Sequence, residues 1–300
     1  MERTDTDMIR CIDYGSCEYP EKLRNYPDMP KKLYVKGKLP VPGRPAAAIV
    51  GARMCSTYGR MQAFRFAKEL SCAGVQVISG LAYGIDSEGH KGALEGGTPT
   101  FAVLGNGADI CYPARNRSLY QRIVRNNGGI ISEYPPGTEA RSYFFPARNR
   151  IISALSDVIL VVEAKEKSGS LITARYGLEQ GKSVYAVPGA VTESLSRGCH
   201  MLIYDGAGIA YSPEILLSEW GISSEKQKKS TEKTQLGLAS DLNLVYSCLD
   251  LRPKIPDDFI RETGLPPEKV NHLLLELELM GLARETGRQH YVRQDCADGG

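Results

Sequence analysis

FPARNR at residues 145–150, the apolar run VILVV at 158–162 and SGSLITA at 168–174 follow one another in a single stretch, and their order decides the fold. Arginines open a helix, a short buried strand follows, and a Ser/Gly turn opens the next helix. An α/β protein builds an anion pocket in this way, beyond the carboxyl ends of its strands, where helix N-termini present unpaired N–H groups. No nucleophile, acid or base set accompanies the stretch, so the site reads as one that holds phosphates without cleaving them.

Working outward, the same alternation recurs. Ala46 to Val50, Val75 to Ile78, Thr100 to Leu104, Ile130 to Ser132, Val158 to Val162 and Ser183 to Val187 read as strands. Helices fit Thr57 to Ala73, Ile85 to Glu95 and Arg117 to Asn126, and two more open near Asn149 and Ser170. Continuous apolar strands separated by helices predict an α/β fold: a doubly wound, mostly parallel sheet covered on both faces. Residues 1–45, interrupted by prolines, read as an irregular extension packed on this core, which spans 46–222. The charged stretch 223–237 (SSEKQKKSTEKTQLG) reads as a linker. Residues 238–294 then give a helix, a helix–turn–helix over 257–280 and a hairpin around Gly287, the pattern of a small winged-helix domain.

Composition bounds the function. The 300 residues are 42% hydrophobic and 24% charged, ordinary for a globular chain. No apolar run nears the roughly 20 residues of a membrane span, and the N-terminus lacks a signal-peptide core. Eight cysteines form no CxxC pair and have no histidine at metal spacing, which predicts reduced thiols, a cytoplasmic location and no metal or cofactor. Net charge is +2, unevenly spread: residues 51–150 carry 12 Lys and Arg against seven Asp and Glu, whereas 238–300 carry seven against 11. A localised basic patch suggests a polyanion site on the core. The acidic winged helix, whose second helix offers Lys269, Asn271 and His272 beside Glu268, Glu276 and Glu278, suits protein contact better than a phosphate-lined groove.

The strand ends carry the remaining signals. Gly51-Ala52-Arg53 fits a phosphate turn with a bidentate guanidinium, or equally a plain strand–helix turn. Ser79-Gly80 opens SGLAYGID, where Asp86 suits a helix cap and His90 a helix-surface position. Gly105-Asn106-Gly107 makes a third small-residue turn. Arg148 and Arg150 supply charge beside Phe145, an aromatic suited to base stacking; Lys165 and Lys167 add charge just before Ser168-Gly169-Ser170 and Thr173. Asp86, Glu133 and Glu163 are the carboxylates that a nucleotide hydrolase could use at the same pocket.

GARxxSTYG (51–59), SGLAYGID (79–86), GNGADICYP (105–113), ISEYPPG (131–137), FPARNRIISALS (145–156), SGSLITA (168–174), AVPG (186–189) and GCHMLIYDGA (198–207) occur together and in order. In these motifs the chain closely resembles the DprA/Smf family. The resemblance implies an extended Rossmann fold, single-stranded DNA binding, homodimers, and protection and delivery of incoming DNA to the RecA recombinase during natural transformation. It implies a phosphate pocket of Arg53, Ser79, Gly80, Phe145, Arg148, Asn149, Ser168, Gly169, Ser170 and Thr173, with a dimer surface near Gly198 to Ala207. Many members carry an N-terminal helical domain, for which the residues before Tyr19 are too few. The fold is also similar to nucleotide-processing hydrolases of the LOG (lysine decarboxylase-like) type; their PGGxGTxxE turn reads SGSLITARYGLE here, with Glu179 further along the helix.

Overall fold

Alternate residues of the central strands pack on opposite sides of one sheet. Ala46, Ala48 and Val50 belong to the core on one face, Ala47 and Ile49 to the core on the other. Ile159 and Val161 are likewise separated from Val158 and Leu160. Each strand is therefore apolar throughout, as expected of parallel strands sandwiched between helices. The computed structural model describes residues 8–222, 240–250, 253–287 and 289–294. It divides into two compact units, Met1–Ser224 and Glu225–Gly300. The predicted linker at 223–237 lies outside the described residues.

In the first unit the strands are β1 (Ile9–Asp13), β2 (Lys32–Gly37), β3 (Ala46–Val50), β4 (Gln76–Ser79), β5 (Thr100–Leu104), β6 (Gly129–Ser132), β7 (Val158–Val161), β8 (Ser183–Ala186) and β9 (Gly208–Ile209). They form one nine-stranded sheet in the order β1-β2-β6-β5-β4-β3-β7-β8-β9. From β6 to β9 all neighbours are parallel, whereas β1 and β2 join antiparallel at one edge. The chain winds outward from β3 in one direction, returns to β7 on its other side, and continues outward. The order thus reverses between β3 and β7, where a doubly wound sheet opens its ligand crevice.

The helices are α1 (Glu21–Arg24), α2 (Thr57–Cys72), α3 (Ile85–Gly96), α4 (Arg117–Arg125), α5 (Phe144–Leu155), α6 (Ser170–Glu179), α7 (Arg197–Tyr204) and α8 (Pro213–Ser218). Ser56 starts α2 by accepting a hydrogen bond from the Gly59 amide at 3.0 Å. In the second unit, α9 (Ser240–Cys248), α10 (Pro256–Thr263) and α11 (Pro267–Leu279) precede an antiparallel hairpin of β10 (Ala283–Glu285) and β11 (Tyr291–Arg293). Its own core gathers Leu242, Val245, Phe259, Val270, Leu274 and Leu277.

Three expectations need correction. Residues 1–45 are more than an irregular extension: β1 and β2 are strands of the main sheet, and Tyr19, Leu23 and Leu33 are buried in its core. These strands, β1 at the edge and β2 between it and β6, show mixed burial instead of an apolar run, which hid them among the prolines. The helix expected to open near Asn149 begins five residues earlier, at Phe144. His90 is fully buried, because the small residues of α3 let that helix sit close against both the sheet and α2.

Candidate nucleic-acid interface

Four strand ends converge at the switch point. The turn after β3 carries Arg53, the turn after β4 carries Gly80, the loop after β5 carries Tyr112 and Pro113, and the segment after β7 leads to Ser168. Arg53, Gly80, Ala82, Tyr83, Tyr112, Pro113, Phe145 and Arg148 line one cavity of about 130 Å³.

Its floor is built around Arg148. This side chain is 4% exposed, and its Nη1 donates to the Val103 carbonyl at the end of β5. A Cβ on Gly80 would lie 2.1 Å from that same Nη1, so only glycine leaves room for the guanidinium. The Gly80 amide donates to Asp86 Oδ2 at 3.1 Å, which sets a buried carboxylate beside the buried cation. Burial pushes the Asp86 carboxyl upward, opposed by Arg148 and by the Ala82 and Gly80 amides. Burial lowers Arg148 to about 10, with Asp86 acting against that shift and Arg53 reinforcing it. Arg148 is therefore still charged at neutral pH. Asp86 thus serves the cavity floor and does not cap α3, whose N-cap is Gly84.

The rim is aromatic and cationic. The Arg53 guanidinium lies 5.1 Å from the Phe145 ring centroid. Tyr112 stacks on Phe145 with centroids 5.6 Å apart and planes 27° from parallel. Arg53, Tyr83 and Tyr112 are exposed and Phe145 is half-buried, so the cation and the tyrosines form the outer part of the rim. Arg53 is held by its backbone. Gly84, at φ +76°, packs where a Cβ would meet the Ala52 carbonyl oxygen at 2.3 Å. That carbonyl accepts from the Ile85 amide at 3.2 Å. The far side of the turn is fixed by Glu163, whose carboxylate accepts from both the amide and hydroxyl of Ser56.

A second group joins the cavity through Asn149. Arg148 Nε donates to Asn149 Oδ1 at 3.0 Å, and Asn149 Nδ2 donates to the Gly169 carbonyl at 3.2 Å. The turn Ser168-Gly169-Ser170 is thereby tied to α5, with the Ser168 and Ser170 hydroxyls 2.8 Å apart. Thr173 is buried one turn into α6. Lys165 and Lys167 stand exposed on the preceding segment and do not line the cavity.

Two further predicted residues are also placed away from the cavity. Arg150 is two positions from Arg148 on one helix, so the two side chains leave opposite faces. Its Nη2 binds Glu133 Oε2 at 2.7 Å, and its Nε lies 3.8 Å from Asp28. The Ser79 side chain is wholly buried and its hydroxyl donates to the Ile49 carbonyl at 2.6 Å. Residues that sequence reasoning missed are Tyr83 and Tyr112. The available signal was an aromatic inside a glycine-rich strand-end loop, in AYGID and ICYP.

The carboxylates considered for hydrolysis are all engaged: Asp86 with Gly80, Glu133 with Arg150, and Glu163 with Ser56. None lines the cavity. Among the described residues no group of three His, Cys, Asp or Glu side chains could hold a metal, and no helix is long and apolar enough to cross a membrane.

Comparison with known proteins gives consistent matches. The chain is 42% identical over 202 residues to the DNA processing protein DprA of Streptococcus pneumoniae, covering 67% of this chain and 71% of that one. It is 37% identical over 286 residues to the protein Smf of Escherichia coli, covering 93% and 76%. Among solved structures, DNA processing protein A from Helicobacter pylori, described for its single-stranded DNA binding mode, aligns with a TM-score of 0.64 at 29% identity, covering 71% of this chain and 96% of that one. The DprA winged helix domain model matches residues 229–287. With residues 10–221 matching the model of DNA recombination-mediator protein A, the chain belongs to the DprA/Smf family.

Proposed function

We propose that this protein is a non-enzymatic single-stranded DNA binder that protects incoming DNA and passes it to the RecA recombinase during natural transformation. The observation that carries the reading is the cavity itself: an exposed guanidinium and stacked rings above a buried cation, with no carboxylate in the lining. Phosphate charge and base faces are what such a rim recognises, and both are independent of sequence. The Helicobacter pylori relative, described for its single-stranded DNA binding, supports the same ligand here. Delivery to RecA rests on membership of a family described as recombination mediators. The described cysteines are free thiols, in keeping with a cytoplasmic site of action.

A homodimer formed through the C-terminal part of the first unit fits its surface. Met201, Tyr204, Ile209 and Tyr211 are exposed along α7, β9 and the residues after it, beside an unpaired sheet edge. In the second unit, Leu275 and Leu279 are exposed on α11 among acidic residues, which suits a protein partner better than DNA.

The test is a titration of labelled oligothymidylate with wild type, with Arg53→Ala/Phe145→Ala, and with the chain ending at residue 222. Binding by wild type and by the truncated chain, with loss in the double variant, is the expected pattern. Equal affinity in all three, or turnover of nucleoside monophosphates by wild type, would refute the reading.

A further inference from the structure

A larger cavity lies on the other side of the loop that walls the first. It measures about 590 Å³, and its lining includes Lys36, Asp109, Cys111, Arg117, Tyr120 and Arg125. The two cavities share one short segment of chain: Asp109, Ile110, Cys111 and Ala114 face the larger one, Tyr112 and Pro113 the smaller. The two cavities are therefore neighbours, with this segment as their common wall.

We propose that this groove is a second segment of the strand-binding track, taking phosphates of the same single strand whose bases reach Phe145; the proposal rests on the function put forward above. Charge is the first argument. Arg117 and Arg125 are exposed, and neither pairs with a carboxylate among the described residues. The lining's sole acid, Asp109, is engaged: both of its oxygens accept from the Gly137 amide at 3.0 Å. That bond ties the loop after β6 to the wall of the groove, and Lys36, Arg117 and Arg125 outweigh the one carboxylate, so the lining is net positive.

Spacing is the second argument. Arg117 and Arg125 are eight residues apart on α4, roughly 12 Å along the helix axis. Along its axis a stacked strand carries one phosphate roughly every 3.4 Å, so the two arginines meet different phosphates. Size is the third. The first cavity, at about 130 Å³, takes no more than part of a nucleotide, whereas about 590 Å³ is in the range of pockets that hold whole ligands. One strand running from a small stacking site into a long basic groove uses both.

The experiment compares oligothymidylates of about two and about 20 nucleotides. It uses wild type, Arg117→Ala/Arg125→Ala, and the control Arg122→Ala, an exposed arginine of α4 that does not line the groove. With about 0.7 counterions released per phosphate, losing two contacts lowers the salt slope by roughly 1.4 and weakens binding of the long strand roughly 25-fold at about 0.1 M salt. Binding of the short strand should be unchanged in the double variant, and Arg122→Ala should match wild type on both. Unfolding curves that coincide for the three proteins keep the comparison clean. A double variant equal to wild type on the long strand overturns the groove while leaving the first cavity intact, as does an equal loss on both lengths. A groove that an acidic peptide occupies without competing with the long strand also overturns it. Failure of wild type to bind either length would instead overturn the proposed function.

Discussion

Gly80 and Arg148 occupy one space: the hydrogen that glycine carries in place of a side chain is what lets the guanidinium of α5 lie across the end of β4. One residue is the second in SGLAYGID and the other the fourth in FPARNR, so two distant motifs are complementary parts of one floor. Asp86, held by the Gly80 amide, completes it with opposite charge.

Gly80→Ala should therefore act as an overpacking change. Displacing Arg148 would cost about 1–3 kcal/mol of stability and lower DNA affinity together. The double variant Gly80→Ala/Arg148→Ala should be less destabilised than the sum of the two singles, because the clash is gone. Urea unfolding of all four proteins checks this; strict additivity would show that the two residues are not coupled.

Arg53 and Phe145 should separate by their salt response. Arg53→Ala should flatten the salt slope of oligonucleotide binding by roughly 0.7, the share of one phosphate on a single strand. Phe145→Ala should leave the slope alone and weaken binding at every salt concentration by about 1–3 kcal/mol, the value of one stacked base. Neither should change preference among homopolymers, apart from stacking strength. A reversed assignment of the two slopes would place the phosphate at the ring.

Arg150→Ala should spare DNA binding and damage the fold. Its guanidinium and the Glu133 carboxylate are only 15% and 13% exposed, and removing one partner leaves the other charge buried. Such breaks cost about 3–5 kcal/mol. Arg150→Met/Glu133→Gln should recover much of that loss. Thermal melts and a strand titration on the same samples test both halves.

His90 predicts a pH dependence. The Thr100 hydroxyl donates to the Val77 carbonyl at 2.7 Å, so it accepts from His90 Nδ1–H, 2.7 Å away. Nε2 is left buried without a partner. Burial, reinforced by Arg148, lowers the His90 pKa from 6.5 to about 3. Between those values the unfolded chain holds a proton that the folded one does not, so stability falls as pH drops through this window, by about 1.4 kcal/mol per unit. Above pH 6.5 the contribution is constant. Urea midpoints at pH 7.5 and 5.5 should differ less in His90→Gln than in wild type; an equal difference would mean that His90 takes up its proton as readily in the fold as in the unfolded chain.

The motifs opening at Gly51, Ser79, Gly105 and Phe145 contain the residues that line the candidate cavity, and the apolar runs pointed to a sheet covered on both faces. Strand and helix periods are local properties, and so they are readable one segment at a time. The strands β1 and β2 were not, because each mixes buried with exposed positions and no run of apolar residues signals them. His90 escaped for a related reason: burial of a helix depends on how closely its neighbours approach, which no residue of α3 states alone.

From its sequence this protein is determined to be a doubly wound α/β chain with basic strand ends and an acidic winged helix. Tertiary structure alone decided which of two neighbouring arginines serves the cavity. Arg148 and Arg150 are indistinguishable by composition and differ by about 200° around one helix axis. The register of α5, beginning at Phe144, turns the first toward Gly80 and the second toward Glu133. The same packing set Tyr112 against Phe145 from the end of a different strand. Contacts between residues far apart in the chain depend on how helices seat on the sheet, and that is settled only when the whole core closes.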